Sequence, residues 1–428
     1  MEMKPYKAAI RLLLLLHSRL NLLAGLSMAL GIYVSVPFCK TKCSYCNFAS
    51  DVFSRDRMQG YVNRLLQDIA SAQRTVEVNG GRWELEVDTI YLGGGTPSIL
   101  EPAQIAQIFQ VLGRHFEIEE DAEITVECAP ATLSPEMLDA LVGCKVNRVS
   151  LGVQSFVDQE ARAVGRLHTR DQVLVDIARL HAAGISDLNV DLIAGLPHQT
   201  PESWEASLTT AIESEVPHVS VYLLEVDEDS RLGNELLAGG ARYHAHFVPD
   251  EELMVQFYER ACERLGEAGI RQYEISNFSL AGMESRHNLK YWERQPYLGF
   301  GLDAHSMLPG ASPNFEAVRL AASDSLPVYL SAYDEAAQVT RLSRNEVSFS
   351  QAWEETFFLG LRLNAGVDLR EITRRFGDLQ AEHAREVLQE LIEQGLIEIR
   401  RERACLTAAG RLVSNEVFEK FVSGAVSR

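Results

Sequence analysis

The chain has 428 residues, and 40 Lys plus Arg against 60 Asp plus Glu give it a formal charge of −20 at neutral pH. That balance opposes phosphate binding, which needs clustered Lys and Arg, so no nucleic-acid partner is expected. With 46% apolar and 23% charged residues the chain reads as an ordinary globular protein of two or three domains, not a disordered or fibrous one.

At the N-terminus, residues 12–16 and 20–30 look like a signal peptide or anchor. His17, Ser18 and Arg19 break the run below the ~20 continuous apolar residues a span requires. Residues 1–30 are therefore read as an N-terminal extension outside the native fold, with Met28 the expected start. From Gly31 onward, β-rich runs at 31–37, 87–92, 123–128, 146–151, 187–193 and 218–224 alternate with helical patterns at 61–72, 102–115, 135–142, 171–183 and 201–213. Strands alternating with helices imply a parallel sheet. Right-handed crossovers curl such a sheet into a full or partial barrel, with ligands at the carboxyl ends of its strands.

The expected fold is thus α/β, a partial (β/α)6 barrel over 31–240. A connecting region follows over 241–345, containing a Glu-rich helix at 251–267 and an aromatic, His-bearing stretch at 273–305. Over 346–428 the pattern of helix, helix, strand, turn, strand and final helix resembles a winged helix, an α+β domain. Residues 341–428 carry 13 Lys plus Arg against 14 Asp plus Glu, so this domain is read as a packing or partner domain and not as a DNA binder.

Seven cysteines are too few for a disulfide scaffold and suggest a reducing compartment. Cys128, Cys144, Cys262 and Cys405 are scattered and read as small buried apolar residues. Cys39, Cys43 and Cys46 instead form a C-x3-C-x2-C cluster directly after the first strand. Structural zinc wants a fourth Cys or His, and none follows at suitable spacing. Three thiolates suit three irons of a [4Fe–4S] cubane whose fourth iron stays open, with Lys40 and Lys42 offsetting its charge. Other distinctive residues also fall at strand ends: Gly93-Gly94-Gly95-Thr96-Pro97 after the second, Glu127 on the third, Gln154 after the fourth and Asp191 in the fifth. Five strands point at one mouth.

The cysteine spacing after a first barrel strand resembles the radical S-adenosylmethionine (SAM) superfamily. In that superfamily SAM chelates the open iron, and the reduced cluster cleaves it to methionine and a 5′-deoxyadenosyl radical; the protein holds and orients both. The resemblance implies SAM binding by Tyr33, Gly94, Gly95, Thr96, Glu127, Gln154, Arg166 and Asp191, with Cys39, Cys43 and Cys46 as metal ligands. Glycines allow close backbone approach, and carboxylates suit ribose hydroxyls and ammonium groups.

Longer strings extend the likeness. Tyr33-Val34-Ser35-Val36-Pro37-Phe38-Cys39, Tyr45-Cys46-Asn47-Phe48, GGGTPS at 93–98, NRVSLGVQS at 147–155 and DLIAGLP at 191–197 resemble oxygen-independent coproporphyrinogen III oxidases and their relatives. Phe48 stands where the true oxidase carries a further Cys. With His287-Asn288-Leu289-Lys290-Tyr291-Trp292, it makes the chain similar to the HemW-type haem chaperones. That resemblance implies haem as a third cofactor, haem-accepting proteins as partners, an electron donor such as a flavodoxin or ferredoxin, a cytoplasmic location, and peripheral membrane contact to deliver haem.

His287, and after it His305, are the candidate haem ligands, because Tyr291, Trp292, Tyr297 and Phe300 could cover a porphyrin face. Arg166 and His168 could read propionates or SAM. One departure stands out: Glu127-Cys128-Ala129-Pro130 replaces the usual Glu-x-Asn-Pro and loses an amide at the mouth. Coproporphyrinogen III oxidation is the main alternative function, followed by radical-SAM methyl transfer and a non-catalytic zinc protein.

Overall fold

The computed structural model describes residues 28–47, 49–50, 54–228 and 230–422. Phe48 and almost all of the expected extension lie outside the described residues. The six β-rich runs form six parallel strands side by side: β1 (Leu30–Ser35), β2 (Glu86–Gly93), β3 (Glu117–Cys128), β4 (Arg148–Gln154), β5 (Asp187–Ala194) and β6 (His218–Leu223). The first helix of each crossover is α1 (Arg55–Ala70), α2 (Pro102–His115), α3 (Pro135–Gly143), α4 (Asp158–Ala163) and α5 (Pro201–Glu213) in chain order. The boundary expected at residue 30 is corrected: Leu30 opens β1 and is 1% exposed, and Lys290 Nζ donates to the Ala29 carbonyl at 2.9 Å.

Side chains alternate across a strand with period two, and here the two faces differ in kind. Ile32, Val34, Ile90, Leu92, Ile124, Val126, Val149, Leu151, Val190 and Val221 are buried in one apolar core. The opposite face carries Tyr33, Tyr91, Thr125, Glu127, Ser150, Asn189, Asp191 and Ser220, brought into line by register pairs such as Tyr33 with Tyr91, Glu127 with Ser150 and Asp191 with Ser220. A closed eight-stranded barrel fills its interior with branched aliphatic side chains. A polar interior is instead a lumen for a polar ligand.

The sheet does not close. It runs through twelve strands in the order β12 (Ser343–Val347), β11 (Ala317–Ala321), β10 (His305–Pro309), β9 (Tyr297–Phe300), β1 to β6, β8 (Asn277–Ser279) and β7 (Arg271–Gln272). β9 lies parallel to β1, so sequence-remote residues 271–347 extend the sheet on both edges. What reads as a connecting region from the sequence is therefore part of the barrel domain. Its helix α6 (Glu251–Glu267) joins the same core through Phe257, Tyr258, Ala261 and Leu265.

One short helix, α7 (Arg286–Trp292), floors the lumen at the amino ends of the strands. Glu123 on β3 accepts the backbone N–H groups of Arg286 at 2.8 Å and His287 at 2.9 Å, satisfying donors that a helix start leaves free. Lys290 reaches Asp88 at 2.7 Å, and Tyr273 bonds His218 at 2.9 Å. The lower half of the polar face is consumed by this plug. The upper half faces the mouth.

The C-terminal domain is α+β, as expected, with α8 (Phe349–Gly360), α9 (Leu369–Phe376) and α10 (Asp378–Glu393) beside a three-stranded antiparallel sheet. It has its own core, including Trp353, Phe357, Leu388, Leu391 and Phe421. The expected final helix is two short ones, Ala408–Leu412 and Ser414–Glu419. Among the described residues no helix is long and apolar enough to cross a membrane.

Candidate functional site

The loop carrying Cys39, Cys43 and Cys46 leaves β1 at the carboxyl end and is tied down from three sides. Thr96 N–H donates to the Phe38 carbonyl at 2.8 Å, Ser44 N–H to Val164 at 3.2 Å, and Leu232 N–H to Ser44 at 2.8 Å. Gly95 explains why the triple glycine sits here. A Cβ on it would lie 2.6 Å from the Val36 carbonyl oxygen and 2.8 Å from Phe38 nitrogen, so only glycine lets the loop after β2 press against the cysteine loop. Gly94 has a φ of +92°, which a side chain would resist.

The sulfur atoms have hydrogen-bonding groups around them. Arg166 Nη1 lies 3.7 Å from Cys43 Sγ, Thr96 Oγ1 3.8 Å from Cys39 Sγ, and Ser50 Oγ 4.0 Å from Cys46 Sγ. Burial raises the Cys39 pKa, Ser50 and Thr96 oppose the rise, and Cys46 and Cys43 add to it, so the three thiols feel one another. Arg166 Nε and Ser44 Oγ are buried without a partner among the described residues. Three thiols, surrounding donors and an orphaned guanidinium nitrogen fit an anionic iron–sulfur cluster, which accepts N–H and O–H bonds at its sulfurs. Among the described residues no three His, Cys, Asp or Glu side chains are arranged to hold a single metal ion.

Around the upper lumen the predicted polar residues converge. Glu127 accepts from the Tyr91 hydroxyl at 2.8 Å and from Gly94 N–H at 3.1 Å. Its pKa is pushed up to about 7 by burial, with Asp191 adding and these two donors opposing. Asp191 accepts from Asn189 at 2.7 Å and Ser150 at 3.1 Å; burial raises its pKa. Tyr33 stacks on Tyr91 with ring centroids 6.2 Å apart, and burial followed by Glu127 raises its phenol. Gln154 sits at a register shift between β4 and β5 with a φ of +69°, which turns the chain at the strand end. Arg166, besides facing Cys43, donates through Nη2 to the Gly152 carbonyl.

Two half-buried carboxyls whose surroundings raise their pKa, facing a lumen and next to the cysteine loop, are suited to a ligand that brings positive charge. Tyr91, Ser150 and Asn189 belong to this network and were not singled out from the sequence. The signal that could have found them is the run of polar residues at every second position of β-rich strands.

The histidines fall elsewhere. His287 is 1% exposed, with Nδ1 2.9 Å from Thr89 Oγ1 and Nε2 2.9 Å from the Tyr291 hydroxyl. Burial and then Lys290 push its pKa down to about 3. The expectation that it ligates haem meets a ring with no nitrogen to spare, because it is part of the floor. His168 is likewise buried, with Nε2 donating to the Val153 carbonyl at 3.1 Å and its pKa pushed down to about 4 by burial and then Arg166. His305 is exposed at the start of β10. Where the Asn amide is missing, Ala129 N–H finds Ser98 Oγ at 3.3 Å.

Residues 33–211 match the model of the radical SAM superfamily, and residues 348–413 match the HemN C-terminal domain. The haem chaperone HemW of Bacillus subtilis is 34% identical over 391 residues, covering 91% of this chain and 98% of that protein. The chain belongs to the HemW family of radical SAM proteins. The HemW of Lactococcus lactis is 33% identical, over 91% of this chain and 96% of its own length. Among solved structures, the coproporphyrinogen III oxidase HemN of Escherichia coli, a radical SAM enzyme, superposes with a TM-score of 0.77 at 24% identity, covering 93% of this chain and 91% of its own. HemN shares the fold. Membership of the HemW family within this superfamily implies a [4Fe–4S] cluster and SAM as cofactors.

Proposed function

We propose that the chain is a haem chaperone: it binds haem and passes it to acceptor proteins, and it holds a [4Fe–4S] cluster and SAM at the barrel mouth. The observation that carries this reading is the near end-to-end similarity to HemW proteins. Cys39, Cys43 and Cys46 would ligate three irons, with Arg166, Thr96 and Ser50 donating to the sulfurs. Glu127, Asp191, Gln154, Tyr33, Arg166, Thr96 and the backbone at Gly94 and Gly95 would bind SAM. When bound, the cluster and SAM supply one-electron chemistry. The chain's own residues bind, orient and exclude water.

The same reading takes haem-accepting proteins as partners, a flavodoxin or ferredoxin as the class of electron donor, a cytoplasmic location, and membrane contact that is peripheral. The test is anaerobic reconstitution followed by iron and sulfide quantitation and haem titration. Stoichiometric haem uptake with about four irons per chain supports it; no haem uptake by the reconstituted protein overturns it.

A second reading, oxidative decarboxylation of coproporphyrinogen III, draws on the fold shared with HemN. Phe48 in place of the oxidase's extra Cys weighs against it. Anaerobic incubation with SAM, a reductant and coproporphyrinogen III decides between the two, the chaperone reading expecting no protoporphyrinogen.

A further inference from the structure

Glu127 stands half-buried at the barrel mouth, and each of its carboxylate oxygens is taken by one donor. Oε1 accepts from the Tyr91 hydroxyl at 2.8 Å and Oε2 from the Gly94 N–H at 3.1 Å. Gly93 leaves room for this arrangement, since a Cβ on it would lie 2.7 Å from Glu127 Oε1 and 2.8 Å from Tyr91 Cε1. The Gly94 donor is backbone, fixed with the loop it belongs to. The Tyr91 donor sits at the end of a rotatable side chain, so its aim depends on what packs around the ring.

That ring is held from α7 and from β1. His287 on α7 stacks against Tyr91 with centroids 5.3 Å apart and planes at 28°. The imidazole is itself pinned at both nitrogens, Nδ1 lying 2.9 Å from Thr89 Oγ1 and Nε2 2.9 Å from the Tyr291 hydroxyl. Thr89 and Tyr91 are two positions apart on β2 and share a face, which lets one imidazole bond the first and stack on the second. From the neighbouring strand, Tyr33 stacks on Tyr91 at 6.2 Å. Register pairs Tyr91 with Thr125 on β3, which makes Glu127 the diagonal neighbour that a long side chain reaches. Gly31 keeps space for α7, since a Cβ on it would come within 2.7 Å of Lys290 Cδ and 3.4 Å of His287 Cε1.

A series of contacts therefore runs from the floor helix through His287 and Tyr91 to Glu127. We propose that Tyr91 is the positioning residue for Glu127 and His287 the positioning residue for Tyr91, so that α7 shapes the SAM site without touching SAM. The inference rests on the proposed binding of SAM by Glu127 and deepens it by naming what aims the carboxylate. A carboxylate aimed beforehand meets a cationic ligand with less rotamer freedom left to lose, so less ordering opposes binding. Tyr91 also favours the ionised carboxylate by donating to it, and the same contact bears on the pH at which SAM binds. The titratable groups facing Glu127 are Tyr91 on β2, Tyr33 on β1, Asp191 on β5, Tyr222 on β6 and Tyr291 on α7, with Arg166 facing Asp191. Burial raises all four phenols, so they stay neutral through the pH range in which Glu127 titrates.

The experiment is calorimetric titration of SAM into the anaerobically reconstituted full chain across the pH range in which Glu127 titrates, with iron and sulfide per chain measured for every variant. Tyr91→Phe keeps the ring and its stacking and removes only the donor. It is expected to weaken SAM binding roughly tenfold and to move the pH of proton release upward by about one pH unit, because the ionised carboxylate has lost a hydrogen bond. A loss of packing alone would leave that pH where it was. His287→Ala is expected to weaken SAM binding in the same direction but less. His287→Phe restores a flat ring beside Tyr91 and neither hydrogen bond, so it is expected to regain SAM affinity while remaining less stable than the wild type.

Tyr91→Phe binding SAM as the wild type does, with proton release at an unmoved pH, overturns the inference and leaves SAM binding by Glu127 standing. Wild-type affinity in His287→Ala, or His287→Phe as weak as His287→Ala, overturns the part assigned to His287. No SAM binding by the wild type overturns the reading on which the inference rests, and the inference with it.

Discussion

Arg166 Nη1 lies 3.7 Å from Cys43 Sγ, while its Nη2 holds the Gly152 carbonyl at the end of β4 and its Nε is left without a partner among the described residues. One guanidinium thus joins the cysteine loop to the barrel mouth. Charge-assisted bonds to sulfur are worth about 1.5–3 kcal/mol, and Arg166→Met removes that contribution. The expected result is a marked fall in iron and sulfide per chain after anaerobic reconstitution, with an unchanged far-UV spectrum. Full cluster occupancy with the wild-type electron paramagnetic resonance signal would count against Arg166 as a sulfur donor. Arg166→Lys keeps the charge but not the fork and is expected to recover only part of the loss.

Gly95→Ala should damage the same loop by steric means. Its new methyl group would meet the Val36 and Phe38 backbone atoms, which cannot rotate away as a flexible side chain would. The prediction is loss of cluster incorporation with a thermal unfolding midpoint close to wild type, because the clash sits in a loop above the core. A variant that reconstitutes normally would show that the two loops separate at little cost.

Glu127 carries a pH dependence with a definite sign. Its pKa in the fold is raised to about 7 from an ordinary 4.5, so the folded state retains a proton that the unfolded chain releases between these values. Its contribution to stability is fully present below pH 4.5 and is lost as pH rises through 7, on the order of 3 kcal/mol. A cationic ligand needs the ionised form, so SAM affinity should rise as pH goes from 6 through 7 and level off above about 8. Calorimetry in two buffers of different ionisation enthalpy reads the released proton. Glu127→Gln should abolish that release, and persistence of the release would assign it elsewhere.

His287 predicts the opposite pH behaviour. Its pKa is lowered to about 3 from 6.5, so its contribution to stability is present above pH 6.5 and is lost as pH falls toward 3. His287→Ala removes two buried hydrogen bonds and leaves a cavity under the sheet, a loss of roughly 2–4 kcal/mol. The thermal midpoint should drop while the Soret band of bound haem survives. A variant as stable as wild type that has lost haem would restore His287 as the ligand.

The strand and helix order over 31–224 was legible because it is a local matter. Period-two and period-3.6 patterns show in any short window, and Pro102, Pro135 and Pro201 mark helix starts that the structure reproduces. The C-x3-C-x2-C spacing was legible for the same reason. The partners of His287, Thr89 and Tyr291, were not legible because they lie on a strand and a helix whose meeting is not written in the neighbourhood of either. The His-bearing string advertises chemistry in one dimension. In three it is a plug.

The amino-acid order alone singled out three closely spaced cysteines and showed which segments would be strand or helix, since residue spacing and hydrophobic period are properties of neighbouring positions. Folding decided that β9 docks beside β1 and that α7 consumes the lower polar face, leaving half-buried Glu127 and Asp191 facing the mouth. Those outcomes depend on which distant surfaces can satisfy one another's buried donors and acceptors, and that balance exists only once the sheet has formed.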